Sequence, residues 1–186
     1  MSGAAVDDEP TAADSQFRLT VPDSVGRQLT PALEGIDRAG WTLSFAESCT
    51  SGLAAAAVSN VPELGHVLDC AFVTYSDDAK KRLLGIPEDV LEREGAVSEP
   101  VARLMAGAAL ERSGAHAAIA ITGFAGPAGP DDEEGRVHFA VALSTGVVRH
   151  REEHFGPLGQ DAIRLAALEV VVELIGEISL QARACV

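Results

Sequence analysis

Five consecutive apolar residues, Ala117-Ala118-Ile119-Ala120-Ile121, run without a polar break into the glycine- and proline-rich stretch from Thr122 to Pro130. A short apolar run bounded by turn signals is the pattern of a strand buried on both faces. Such a strand needs helices above and below it, and the flanking segments supply them. Trp41 to Phe45 reads as a strand, Ser48 to Thr50 as a turn, and Gly52 to Val58 as an alanine-rich helix. Cys70 to Tyr75 reads as a second strand entering a short helix with Lys80, Leu83 and Leu84, after which Gly85 and Pro87 reset the chain toward a helix from Glu88 to Arg93. Ser98 has the character of an N-cap, with Glu99 and Pro100 in the first turn of a helix running to Arg112. Arg136 to Leu143 and Val147 to Glu153 form a hairpin pattern around Ser144-Thr145-Gly146, and a closing helix from Gln160 to Ala182 places Ile163, Ala167, Val171 and Ile178 on one face. Near the start, Val25, Leu29, Leu33 and Ile36 recur at helical spacing, with Pro31 either opening the helix after a Thr30 cap or kinking one already running. The sum is one three-layer α/β/α domain with a mixed sheet.

Charge narrows the partners. Fourteen basic against 28 acidic residues give a net charge of −14, which argues against wrapping duplex nucleic acid but leaves room for a small phosphorylated ligand held by backbone amides and a cation or two. Cys49, Cys70 and Cys185 show no CxxC spacing and no disulfide framework, so a reducing, cytoplasmic compartment is expected. No apolar run approaches the roughly 18 residues of a membrane span, and no membrane partner is expected. Residues 1–22, with Asp7, Asp8, Glu9 and Asp14, read as a disordered acidic tail ahead of a domain over residues 23–186. Of the five histidines only His150 and His154 stand four apart, and neither a metal site nor a cofactor is expected.

The chemistry concentrates at strand ends. Ser48, in Ala46-Glu47-Ser48-Cys49-Thr50, sits where a strand gives way to a helix, a place that offers both a projecting hydroxyl and unpaired amides for an oxyanion. Locally, Ser48 and Thr50 read as helix caps before they read as catalytic groups, and Cys49 as a small buried side chain before a nucleophile. Tyr75 and Lys80 lie five apart across a strand end and a helix start, so both can face one crevice. Lys80 can act as a base only if desolvation lowers its pKa. Within Asp77-Asp78-Ala79-Lys80-Lys81-Arg82 it reads otherwise as part of a solvated face, and the base role requires Asp77 turned away, capping the helix. The Thr122 to Pro130 segment reads as a ligand-binding loop in which glycines admit close backbone approach.

Taken together with Phe72-Val73-Thr74-Tyr75-Ser76, Leu83-Leu84-Gly85-Ile86-Pro87, Gly95-Ala96-Val97-Ser98-Glu99 and Thr122-Gly123-Phe124-Ala125-Gly126-Pro127, these segments resemble the C-terminal domain of CinA, the nicotinamide-nucleotide amidohydrolase type, over residues 25 to 180. The resemblance implies metal-independent hydrolysis of the carboxamide of nicotinamide mononucleotide to nicotinate mononucleotide and ammonia. It implies Ser48 as nucleophile, Lys80 as its base, Tyr75 in support, and Thr50, Ser51, Gly52, Thr122, Gly123, Gly126 and Arg164 against the substrate. It also implies a homodimer or higher homo-oligomer. Two departures stand out: Ser51 replaces a glycine usual in that family, and Gln160 stands where an arginine is expected.

Overall fold

In a computed structural model of the chain, residues 21–126, 128–130 and 132–184 are described. Most of the expected acidic tail (residues 1–20), Pro127 of the glycine-rich segment, and Cys185 lie outside the described residues. Five strands, β1 (Leu43–Glu47), β2 (Leu68–Val73), β3 (Ala117–Gly123), β4 (Arg136–Leu143) and β5 (Val148–His154), form one sheet in the order β2-β1-β3-β4-β5. β1 is parallel to both of its neighbours, while β3–β4 and β4–β5 are antiparallel, so the sheet is mixed.

Pleat alternation sorts the side chains into two cores. On one face Leu43, Phe45, Ile119, Ile121 and Phe139 pack under α1 (Asp23–Arg38), α2 (Leu53–Ser59) and α6 (Gln160–Ala184). On the other, small residues Ala46, Ala118, Ala120, Ala140 and Ala142 admit α5 (Glu99–Ser113) close to the sheet, and α4 (Glu88–Glu94) packs on α5. This is the three-layer α/β/α arrangement expected. β1 leads to α2 on the first face, whereas β2 leads toward α5 on the second. The carboxyl ends of β1 and β2 therefore part around a crevice, where α/β sheets carry their ligands.

Element boundaries differ in informative ways. Trp41 and Thr42 precede β1, Trp41 stacking on His116 with ring centroids 5.7 Å apart. α1 is already running when it reaches Pro31, which lies inside it and does not open it, and the Thr30 hydroxyl donates to Gly26 O at 2.8 Å. Ser98 holds the N-cap position of α5 but makes no capping bond, since its hydroxyl donates instead to Gly95 O at 2.9 Å. Thr122 and Gly123, expected in a loop, are the last residues of β3, paired with His138 and Val137 of β4. Among the described residues no helix is long and apolar enough to cross a membrane.

Candidate active site

β1 delivers Ser48 to the sheet's carboxyl edge, where its amide continues the ladder by donating to Ile121 O at 2.9 Å. The chain then turns through Ser51 (φ 53) and Gly52 (φ 95) into α2. A left-handed serine costs about 1–2 kcal/mol relative to glycine, so the departure at Ser51 is a strained one. Its hydroxyl gains a 3.4 Å contact to Ser48 O.

Neither Ser48 nor Thr50 caps α2. Glu47, the last residue of β1 and fully buried, turns its carboxylate under the helix and accepts from the amides of Gly52 (2.9 Å), Ala54 (3.2 Å) and Ala55 (2.9 Å). A carboxylate at a helix amino end satisfies orphan donors and opposes the helix dipole. Capping by Glu47 leaves the Ser48 hydroxyl uncommitted to the helix. With the Ser51 amide taken by Ser48 O at 3.2 Å, the amides of Cys49 and Thr50 have no acceptor among the described residues. Sequence reasoning missed Glu47; the available signal was an acidic residue ending an otherwise apolar strand just before a helix.

β2 delivers the second group. After Thr74, whose amide bonds Glu47 O at 2.7 Å, Ser76 caps α3 (Asp77–Ala79) by accepting from Ala79 N at 3.1 Å. α3 widens at once into a π turn over Lys80–Leu84, a local irregularity that recurs at functional sites. Lys80 is 1% exposed, with Nζ 3.1 Å from Ser48 Oγ and 3.1 Å from Thr74 O. Its nearest carboxylate oxygen, Asp77 Oδ1, stands 3.9 Å away on a side chain that is itself largely in water. The expectation that Asp77 turns away and caps the helix is not met: Ser76 is the cap, and Asp77 stays within ion-pair range of the amine, although its own side chain is largely exposed. Burial lowers the Lys80 pKa from its ordinary value, and Asp77 opposes that shift without reversing it. Cys49 is buried, and desolvation pushes its thiol up to about 12, so the thiol form prevails at neutral pH.

An open cleft of about 350 Å³ lies over this pair, its wall including Ser48, Cys49, Lys80, Tyr75, Thr122, Phe124 and Arg164, with Gly123, Gly126, Asp77 and Gln160 also lining it. Tyr75 stands at the rim, 67% exposed, with no hydrogen bond to Ser48 or Lys80. The Thr122 hydroxyl is buried and donates to Ala96 O at 2.8 Å, bracing the segment before α5 that forms the cleft's far wall. Gly123 is required by packing, since a Cβ there would meet Val137 Cγ2 at 2.7 Å and Arg136 O at 2.8 Å. Arg164 reaches across from α6, its Nε donating to Cys49 O at 2.9 Å. Thr50, Ser51 and Gly52 do not line the cleft; Thr50 is buried, and its hydroxyl has no partner among the described residues. Elsewhere His150 pairs with His138 at 3.0 Å and His154 with Glu133 at 2.9 Å. Among the described residues no group of three or more His, Cys, Asp or Glu side chains could hold a metal ion.

The chain as a whole has known counterparts. The family model for the CinA C-terminal domain matches residues 29–178. A CinA-like protein of Akkermansia muciniphila is 51% identical over 106 residues, covering 56% of this chain and 26% of the relative. One from Mycolicibacterium gilvum is 42% identical over 139 residues, covering 74% and 33%. The crystal structure of the competence/damage inducible protein CihA from Agrobacterium tumefaciens superposes with a TM-score of 0.81 at 37% identity, covering 84% of this chain and 96% of that one. The chain spans about a quarter to a third of the length of the curated relatives it matches.

Proposed function

Because the chain belongs to the CinA C-terminal domain family, we propose that its cleft hydrolyses the carboxamide of a pyridine nucleotide, nicotinamide mononucleotide, to the carboxylate and ammonia. The observation that carries this reading is Lys80 Nζ, buried and 3.1 Å from Ser48 Oγ. A neutral Lys80 amine accepts the Ser48 proton as Oγ attacks the carboxamide carbon. Negative charge then gathers on the former carbonyl oxygen, for which the amide of Cys49, a residue of the cleft wall, is the donor to hand. Collapse of the adduct breaks the C–N bond, and the Lys80 ammonium returns its proton to the departing nitrogen, which leaves as ammonia. A water, deprotonated by the same amine, attacks the resulting ester. The carboxylate is released and Ser48 recovers its proton. Arg164 gives the cleft wall a cation suited to an anionic part of the substrate.

Ammonia release from nicotinamide mononucleotide, measured for wild type, Ser48→Ala and Lys80→Ala, tests this. Activity in wild type that falls by about a thousandfold or more in both variants supports it. Equal turnover in all three refutes the assignment of roles.

Gln160 favours a second reading, the same machinery acting on another amide. It lines the cleft with a neutral carboxamide where a guanidinium would grip a phosphate bidentately. A panel of pyridine nucleotides and simple amides separates the two, since nucleotide selectivity belongs only to the first. A protein that binds these ligands but releases no ammonia would instead be a binding module.

A further inference from the structure

The cleft contains one feature that the serine chemistry does not use. Phe124, one residue beyond β3, forms part of its wall. Its backbone is clamped by both groups, the amide donating to Arg136 O at 3.0 Å and the carbonyl accepting from Gly135 N at 2.8 Å. Arg136, directly across on β4, lays its guanidinium over the ring, Cζ standing 5.6 Å from the centroid. Among the described residues Arg136 makes no ion pair, and its buried Nε has no acceptor there. An arginine so placed attracts the ring's electron-rich face and fixes its tilt. Of the two aromatic side chains in the cleft wall, Tyr75 is the exposed one at the rim, whereas Phe124 is half-buried with Arg136 over its ring. Phe124 is also close to the reacting centre. Ser48 N bonds Ile121 O, and three residues of extended chain span at most about 10 Å.

We propose that Phe124, backed by Arg136, is the platform on which the planar ring of the amide substrate stacks, so that the site selects carboxamides carried on an aromatic ring over those on saturated carbon. This rests on the amidohydrolase reading and adds the residue that selects for the ring. A rigid platform of this kind holds a ring at low entropic cost, and offset stacking adds attraction beyond the area it buries.

Benzamide and cyclohexanecarboxamide have matching size but only one has a π face. Their affinities, measured by titration calorimetry on Ser48→Ala and on Ser48→Ala combined with Phe124→Leu, provide the test. Stacking predicts that the first protein prefers benzamide by about tenfold and that the second loses the preference, with Phe124→Leu unchanged in circular dichroism. Arg136→Met, which keeps the ring but frees its tilt, lowers benzamide affinity by about threefold. An equal preference in both proteins, or no benzamide binding by either, overturns the platform. Turnover is read separately on wild type. Ammonia from nicotinamide mononucleotide with identical KM in wild type and Phe124→Leu defeats the platform and leaves the hydrolase intact. A benzamide preference that requires Phe124, without any ammonia release, defeats the hydrolase and leaves the platform.

Discussion

Lys80 and Lys81 are consecutive residues of one turn, and the two faces of that turn treat the same ammonium group in opposite ways. The inner face buries Lys80 against Ser48 and Thr74 with no carboxylate oxygen nearer than 3.9 Å, and burial lowers its pKa. The outer face leaves Lys81 in contact with Glu88 at 2.7 Å and Asp78 at 2.9 Å, and those bonds hold its pKa above the ordinary lysine range. Desolvation without a close counter-charge makes a base, whereas a solvated carboxylate pair makes a permanent cation.

The largest expected effect follows from that contrast. Lys80→Met removes the base and cuts ammonia release by about a thousandfold, while Lys81→Met leaves it within about twofold, as steady-state assays on both variants will read. Comparable losses in the two would break the comparison. Next is stability. The folded-state pKa of Lys80 is depressed, so between that value and 10.5 the unfolded chain holds more protons, and stability rises with pH across the window. Lys80→Met abolishes that slope and raises the thermal midpoint at neutral pH by about 2–4 °C or more, since about 1 kcal/mol corresponds to that shift at this size. Lys81→Met barely moves it.

Smaller is the effect on the pH profile. Activity requires neutral Lys80, so kcat/KM climbs as pH rises through its lowered pKa. Asp77→Asn removes the charge that opposes the shift and moves this acid limb to lower pH. An acid limb unmoved or displaced upward would show that Asp77 does not face the amine. Smallest of all, Cys49→Ala keeps nearly full turnover, and Cys49 in the native protein resists alkylation at neutral pH, because its thiol is pushed up to about 12.

Most of the architecture could be read from the sequence, because each element carries its own local signal. The apolar run of β3 and the helical spacing of α1 and α6 depend on nothing distant. What could not be read depends on partners far along the chain. Asp77-Asp78-Ala79-Lys80-Lys81-Arg82 looks uniformly solvated until the sheet edge packs on one of its faces. Thr122 and Gly123 look like loop residues until β4 pairs with them and leaves no space for a Cβ. Thr50, Ser51 and Gly52, which the family resemblance implies as ligand contacts, lie outside the cleft wall, where Glu47 draws the amino end of α2 onto itself. The serine and lysine of the candidate site were found by their order along the chain. Their 3.1 Å contact is a product of the fold.

Direct titration of the two amines by NMR, with lysine Nζ isotopically labelled and each resonance assigned by Lys80→Met and Lys81→Met, tests the central claim most closely. Lys80 should lose its proton below the ordinary lysine value of 10.5 while Lys81 keeps its own above it. Lys80 titrating at or above 10.5 would contradict the account, because an amine protonated throughout the working range cannot take the proton from Ser48.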